Sequence, residues 1–239
     1  MRLPVNTALA LFLVLGLGGC ATSYPSPRPV PLAQQADPGT PEAAAEAFIR
    51  VVAAVEPVAE DLCRKQGVAR TCDFRIVIDP RPGLPPNAFQ TLDSRGRPVI
   101  GFTLALIADA RNPDELAFVM GHEAAHHIAG HIARRQDEAL TGALVAGVLA
   151  QAGGLTPDEV RAAQNLGAEV AARSYSREYE LEADALGAEI ALMAGYDPVL
   201  GTGFFDRLPD PGDRFLGSHP PNAQRKAVVA ATVRRLGVP

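Results

Sequence analysis

The sequence lacks the clustered positive charge and the tryptophans that are common in nucleic-acid-binding proteins. It has no tryptophan, its 22 basic residues are outnumbered by 27 acidic ones, and its net charge is −5. No run of lysine and arginine is longer than two residues, and only Lys65 and Lys226 are lysines. A phosphate backbone is recognised mainly by clustered positive charge, so the composition predicts that nucleic acid is not a partner.

Aromatic residues are also few, at 5%, whereas hydrophobic residues make up 47% of the 239 positions, with alanine prominent among them. This balance excludes a wholly disordered chain and favours one globular domain built mainly of helices. The sequence contains no internal repeat of the kind that would indicate a solenoid or an array.

The N-terminus has the pattern of an export signal. A basic residue precedes an uncharged run over 8–17, and two glycines stand directly before Cys20. The run is too short to span a bilayer, and small residues before a cysteine resemble the bacterial lipobox, in which the cysteine is acylated. An ordinary secretory peptide with a coincidental cysteine is the alternative. We expect a signal peptide over 1–19 and a lipid anchor on Cys20, with Ala21 favouring the outer membrane, facing the periplasm.

Residues 21–41 contain six prolines and little that could pack into a core. This composition is typical of an extended, semi-rigid tether. The predicted organisation is therefore a signal peptide, an acylated cysteine with its tether over 20–41, and a folded domain over 42–239.

The two remaining cysteines, Cys63 and Cys72, form an even pair nine residues apart. Two such cysteines lack the second pair that a structural zinc site requires. In an oxidising compartment we favour a disulfide over free thiols or metal ligands.

Periodic apolar patterns divide the domain into helices and short strands. Helical spacing and capping residues predict helices over 42–65, 113–138, 157–194 and 222–236. Alternation predicts strands over 74–78, 88–92 and 97–102, the last two joined as a hairpin. The expected fold class is α+β and mostly helical, with a small antiparallel sheet beside the helix that begins at Pro113.

Residues 139–155 form an uncharged segment rich in alanine and glycine. A membrane span is one interpretation. The segment is shorter than the roughly 20 residues a span requires and is only weakly hydrophobic, so we favour a buried or partly exposed helical hairpin.

Four of the five histidines lie within ten residues, and two of them form the string His-Glu-Ala-Ala-His over 122–126. On a helix, His122 and His126 point the same way and can share one metal ion, while Glu123 can reach a water molecule on that ion. Two surface histidines flanking a solvated glutamate are the alternative. Because apolar residues such as Phe118 and Ile128 surround the string, we favour the metal site.

A catalytic zinc needs a third protein ligand and an open position. His131 follows His122 by nine residues, so we expect it on the opposite helical face and interpret it, like His127, as a packing or surface residue. Downstream, Glu180 and Asp184 lie four apart on one helical face that small residues extend. A solvated acidic face is the alternative. The incomplete metal site favours Glu180 as the third ligand and Asp184 as the group that orients a ligand imidazole.

Three motifs follow one another along the chain: HEAAHHIAGH over 122–131, SREYELEAD over 176–184, and SHPP over 218–221 with Arg225. Together these motifs resemble those of the HtpX-like and CAAX-prenyl-endopeptidase-like zinc metallopeptidases, which are gluzincins, and the resemblance implies a zincin-like domain. Their order along the chain makes the resemblance far more specific than HExxH alone. The lipoprotein signal makes the periplasmic LoiP-like and BepA-like members the most similar ones.

The resemblance implies one Zn²⁺ per chain, held by His122, His126 and Glu180, with Glu123 as the catalytic base. His219 would either stabilise the oxyanion or occupy the open coordination position as an inhibitory ligand. An ordinary loop histidine is the third alternative for this segment, which is rich in proline and glycine.

The resemblance also implies a substrate strand at Asn87, Ala88 and Phe89, although Gln90 departs from the small residue often found next in the family. Such a strand pairs with the backbone of an extended chain. The expected function is a membrane-anchored zinc endopeptidase that hydrolyses unfolded or misassembled cell-envelope proteins. The alternatives are a zinc-bound chaperone or assembly factor for outer-membrane proteins that does not cleave, and a zinc hydrolase of a non-peptide substrate.

Overall fold

The computed structural model describes residues 39–69, 71–174, 176–208 and 220–237. Its helices are α1 (Pro41–Gln66), α2 (Leu104–Asp109), α3 (Pro113–Ile128), α4 (His131–Ala152), α5 (Pro157–Ser174), α6 (Ser176–Met193), α7 (Pro198–Gly201) and α8 (Asn222–Arg235), with a 3₁₀ helix at Thr202–Arg207. Its strands are β1 (Arg75–Asp79), β2 (Ala88–Leu92) and β3 (Pro98–Thr103). The predicted α+β, mostly helical fold is confirmed. The signal peptide, Cys20 and His219 lie outside the described residues.

The strands form one mixed sheet in the order β1-β3-β2. β2 and β3 pair antiparallel, as the hairpin predicts, and Asp93 closes their turn by accepting hydrogen bonds from the backbone of Arg95 and Arg97. β1 instead runs parallel to β3, which corrects the expectation of a purely antiparallel sheet. β3 lies between β1 and β2 in the sheet, although it follows both of them in the sequence. β2 runs opposite to β1, and the chain reverses again at the hairpin, so β3 runs in the same direction as β1.

α3 is the central helix and is buried along most of its length. The predicted cap is present: the side chain of Asn112 accepts a hydrogen bond of 3.0 Å from the backbone of Glu115. α1 and the sheet cover α3 with a shared apolar core, in which the ring of Phe48 meets that of Phe102 edge to face at 4.9 Å. Burial of this core fixes the α3 helix that carries the paired histidines.

The predicted helix over 113–138 is interrupted. α3 ends at Ile128, and Gly130 adopts a left-handed φ of 70° before α4 begins at His131. Glycine enters this conformation without the steric cost that other residues meet, so the chain can turn there. Residues on either side of Gly130 do not share one helical axis, and the expected position of His131 on the face opposite His122 is wrong.

α4 and α5 pack against each other as an antiparallel pair. Gly142 faces Gly167 and, further along α4, Gly147 faces Gln164, so the two helices approach closely where they lack side chains. The uncharged segment 139–155 thus forms a hairpin with α5. Several of its apolar side chains are well exposed, with relative exposures of 61% for Leu140, 58% for Leu144 and 68% for Leu149. None of the described helices combines the length and the apolar character that a transmembrane span requires.

Candidate metal centre

Two histidines of α3 and one glutamate of α6 bring three metal-binding groups together. Nε2 of His122 lies 3.1 Å from Nε2 of His126. The carboxylate oxygens of Glu180 lie 3.5 Å from the first nitrogen and 3.4 Å from the second. His122 and His126 are four residues apart on one helix, so their rings leave the same face. The three residues that the sequence predicted as ligands therefore form a group that could hold one metal ion.

The spacing of this group fits zinc. Zinc binds imidazole nitrogen at about 2.0–2.1 Å and carboxylate oxygen at a similar distance, and the corners of such a tetrahedron lie about 3.3 Å apart. The donor atoms here are separated by 3.1–3.5 Å. Two imidazole nitrogens and one carboxylate also match the ligand types of catalytic zinc sites that leave one position open.

Asp184 lies against the ring of His122 on the side away from the metal-binding atoms. Its Oδ1 is 3.0 Å from Nδ1 of His122, and Asp184 is fully buried. Arg225 of α8 donates hydrogen bonds of 2.7 and 2.6 Å to the two oxygens of this carboxylate, and its guanidinium stacks over Phe205 at 4.1 Å. A buried carboxylate needs a charged partner of this kind. The ion pair with Arg225 therefore stabilises Asp184 beside His122, where its carboxylate can orient the imidazole ring.

The pKa values of the two ligand imidazoles differ widely in the metal-free protein. Burial works to lower the pKa of His122, but hydrogen bonds with Asp184 and Glu180 outweigh it and raise the pKa to about 10. Burial and the nearby charge of His122 lower the pKa of His126 to about 3. Without a metal ion, this pKa keeps a proton on His122 at neutral pH, and a zinc ion that binds there would have to displace it.

The second ring nitrogen of His126 meets another histidine. Nδ1 of His126 lies 2.8 Å from Nδ1 of His131, and Nε2 of His131 lies 3.1 Å from Glu182. Burial lowers the pKa of His131 although Glu182 is beside it. A helix that continued through Gly130 would not bring these two rings together, so the contact was not predicted. A glycine between two helical patterns is a typical helix end and is the signal that could have found it.

Glu123 and the three predicted ligands line an open cavity of about 710 Å³. Glu123 follows His122 directly on α3, so its carboxylate belongs to the same cavity wall as the metal-binding atoms. The other walls come from β2, the start of α4, the 3₁₀ helix and α8, through residues that include Ala88, Ile132, Arg135, Phe204 and Asn222. The cavity thus combines a carboxylate base with a metal site and an apolar surface.

The predicted substrate strand lies at the rim of the cavity. Asn87 and Ala88 line it together with Gln90, and β2 is an edge strand of the described sheet. Phe89 differs, because alternation along a strand turns its side chain to the other face. Its ring covers Gly101 of β3, where an added Cβ would lie 2.2 Å from the ring. The ring of Phe89 therefore packs within the sheet, and the cavity is lined by Gln90 and not by Phe89.

Three further residues that the sequence singled out and the structure describes lie away from the metal-binding atoms. Nε2 of His127 hydrogen-bonds to the carbonyl of Thr71 at 2.7 Å, which agrees with the packing role expected for it. Cys63 and Cys72 form a disulfide between the end of α1 and the segment before β1. The roles of Cys20 and His219 stay predictions, since neither residue is described.

Two histidines one turn apart, a glutamate beside the first, and a carboxylate from a second helix match the residues and spacing of metal-dependent peptidase sites. The chain belongs to peptidase family M48, whose family model matches residues 51–233. The family resemblance drawn from the motifs is therefore confirmed, and the chain is a metallopeptidase-family member. The narrower likeness to LoiP-like and BepA-like proteins stays a prediction.

Two relatives illustrate the family. The mitochondrial metalloendopeptidase OMA1 of Arabidopsis thaliana is 31% identical over 136 residues, which cover 55% of this chain and 27% of the plant protein. A putative beta-barrel assembly-enhancing protease of Vibrio cholerae is 32% identical over 126 residues, which cover 48% of this chain and 25% of the bacterial protein. The matched regions thus span about a quarter of each relative.

Proposed function

We propose that the protein is a zinc endopeptidase that hydrolyses peptide bonds of unfolded or misassembled cell-envelope proteins. The observation that carries the proposal is the 3.1–3.5 Å spacing of the donor atoms of His122, His126 and Glu180. These atoms share a cavity wall with Glu123. A metal site that serves only structure has no need of a carboxylate base in an open cavity.

When bound, zinc supplies a Lewis acid that polarises the substrate carbonyl and makes a water molecule acidic. Glu123 takes the proton from the attacking water and later delivers it to the leaving amine, as a general base and then a general acid. Asp184 and Arg225 hold the ring of His122 so that its Nε2 faces the metal position. Each of these groups is fixed on a helix, which limits the reorganisation that the reaction requires.

The choice of substrate is supported by the edge of β2. A substrate in extended form would add its backbone to this edge, and its side chains would enter the cavity beside Ala88 and Gln90. Pairing of this kind selects an unfolded or extended chain more than a sequence. The similarity to a putative beta-barrel assembly-enhancing protease supports a role with envelope proteins.

The proposal includes attachment to the outer membrane, facing the periplasm, through acylation of Cys20. It is supported by the lipobox-like residues before that cysteine. Metabolic labelling with a fatty acid should mark the wild type and leave Cys20→Ala unlabelled. Equal labelling of the two proteins would remove the anchor from the proposal.

The proposed activity is tested with fluorescently labelled, unfolded casein. We expect cleavage by the purified protein, loss of cleavage after chelation, and recovery with zinc. Glu123→Gln should keep zinc and lose about 10²–10⁴-fold in rate, the usual contribution of general base catalysis. Glu178→Gln, at an exposed position of α6, is the matched control and should cleave normally.

The same assay separates the alternatives. Binding of casein without cleavage by the zinc-loaded wild type would favour a chaperone or assembly factor, and activity on small esters or amides alone would favour a non-peptide hydrolase. His219→Ala should cleave faster if His219 is an inhibitory metal ligand and more slowly if it stabilises the oxyanion.

A further inference from the structure

We propose that His131 and Glu182 are positioning residues that fix the proton arrangement of the metal ligand His126. The relay runs from the carboxylate of Glu182 through the ring of His131 to Nδ1 of His126. It rests on the proposed zinc site, because its effect is to leave Nε2 of His126 as the free lone pair that a metal ion needs.

The geometry places the two rings in hydrogen-bond contact. The Nδ1 atoms of His126 and His131 are 2.8 Å apart, a distance at which one nitrogen must donate a proton and the other must accept it. The Nε2 atom of His126 faces His122 and Glu180. Its Nδ1 atom faces Nδ1 of His131, so the two nitrogens of this ring have separate roles.

The proton positions follow from the carboxylate. A neutral imidazole carries one N–H, and an ionised carboxylate can only accept. Nε2 of His131, 3.1 Å from Glu182, is therefore the donor to that carboxylate. Its Nδ1 is then the acceptor, so the N–H of His126 lies on Nδ1 and its lone pair lies on Nε2. Glu182 thus sets the tautomers of both rings, one directly and one through the other.

The relay is held rigidly at the start of α4. His131 is 2% exposed, and its ring stacks on Tyr179 with centroids 4.5 Å apart and planes 18° apart. Arg134 donates a hydrogen bond of 2.8 Å to Glu182 and lies over the same tyrosine ring. The carboxylate is therefore fixed from one side by a cation and bound to His131 on the other.

The two ligand imidazoles are supported in different ways. His122 meets the buried carboxylate of Asp184 directly, whereas His126 reaches its carboxylate through an intervening imidazole. Both carboxylates belong to α6, the helix that also supplies the ligand Glu180. One helix thus provides a metal ligand and the groups that orient the other two ligands.

The test compares zinc affinities of the purified protein and its variants by competition with a chromophoric chelator. His131→Phe keeps a ring for stacking on Tyr179 but removes both nitrogens, and it should weaken zinc binding about 10–100-fold, as loss of a group behind a metal ligand usually does. His131→Asn places an amide oxygen where Nδ1 stood and should stay within about threefold of the wild type, since that oxygen can accept from His126.

Glu182→Ala is the second variant, because it leaves the buried rings in place. It should also weaken zinc binding, whereas Glu178→Ala, exposed on the same helix, should not. The visible spectrum of the Co²⁺-substituted protein gives a readout that packing alone would not move: it should change in His131→Phe and be restored in His131→Asn. Thermal melting of the metal-free proteins should be similar for the two variants.

If His131→Phe keeps the zinc affinity and the Co²⁺ spectrum of the wild type, the proposed relay is wrong. Equal losses in the Phe and Asn variants would overturn it as well, because they would indicate a role of shape alone. His126→Ala separates this proposal from the proposed function, because it removes a ligand and should abolish tight zinc binding. If His126→Ala loses zinc while His131→Phe binds it normally, the relay is wrong and the zinc site stands. Failure of the wild type itself to bind zinc would overturn the proposed function together with the relay.

Discussion

Gly121 of α3 and Gly187 of α6 meet backbone to backbone beside the metal centre. A Cβ atom on Gly121 would lie 2.6 Å from the carbonyl oxygen of Gly187, and a Cβ on Gly187 would lie 2.7 Å from the backbone nitrogen of His122. Real Cβ contacts are not this short, so any side chain would push the helices apart. The absence of side chains at these two positions sets the separation of the helices that carry His122 and Glu180.

Gly187→Val should destabilise the protein and weaken zinc binding. Overpacking of a tight contact typically costs about 1–3 kcal/mol, and the resulting shift of α6 would move Glu180 away from the imidazoles. Urea unfolding and zinc competition measure the two effects. Gly153→Ala is the control: its added Cβ would lie 3.3 Å from Cδ1 of Leu155, the end of an exposed side chain that can shift, so neither quantity should change much. A Gly187→Val protein with wild-type zinc affinity would contradict this role of the contact.

Arg225→Met should cost much more stability than Lys226→Met. Arg225 is 7% exposed and pairs with the fully buried Asp184, and removal of one partner from a buried pair typically costs about 3–5 kcal/mol because the other charge stays buried. Lys226 pairs with the exposed Asp206, a type of contact worth at most about 1 kcal/mol. The two free energies of unfolding, measured in urea, give the comparison.

A double variant tests whether the unpaired charge of Asp184 causes the loss of stability. Addition of Asp184→Asn to Arg225→Met removes that buried charge and should recover part of the lost stability. If the double variant loses the full sum of the single losses, or if Arg225→Met is no worse than Lys226→Met, the two residues are not energetically coupled in the way the geometry indicates.

Zinc binding should release about one proton per ion near pH 7, because a metal ligand must be deprotonated. The pKa of His122 is raised to about 10 by Asp184 and Glu180 against the effect of burial, so this ring is protonated in the metal-free protein and must lose its proton. The pKa of His126 is lowered to about 3, so this ring contributes none. Apparent zinc affinity should therefore rise about tenfold per pH unit from pH 6 to 9 and level off above pH 10.

Calorimetry in buffers of different ionisation enthalpy counts the protons directly. Asp184→Asn is the informative control: it removes a group that raises the pKa of His122 and should reduce both the proton release and the pH dependence. Zinc affinity that is constant between pH 6 and 9 would show that His122 is already neutral in the metal-free protein.

Local patterns predicted the three strands, most of the helices and the ligand triad, although the single helix expected over 157–194 is two helices, α5 and α6. Four-residue spacing identified His122 with His126 and Glu180 with Asp184, because an α-helix places such residues on one face. The caps at Asn112 and Thr156 gave two helix starts that the structure reproduces. The ligand residues could be found in this way because their spacing is a property of each helix alone.

The remaining features depend on contacts that no local pattern contains. Gly130 ends α3 and brings His131 against His126, and a helix continued through that glycine could not reveal the contact. β1 pairs parallel with β3 because of the path between strands, which alternation does not encode. Arg225 reaches Asp184 from a helix 41 residues further along the chain, so its role depended on the tertiary packing of α8 against α6.

The central claim is that Glu180 completes a three-ligand zinc site with the two histidines of α3. Metal content measured by inductively coupled plasma mass spectrometry tests it most directly, on purified wild type, Glu180→Ala and the exposed control Glu178→Ala. We predict about one zinc per chain in the wild type and in Glu178→Ala, and little in Glu180→Ala, since a catalytic zinc depends on three protein ligands. Full zinc retention by Glu180→Ala, or a wild type that carries none after reconstitution, would contradict the account.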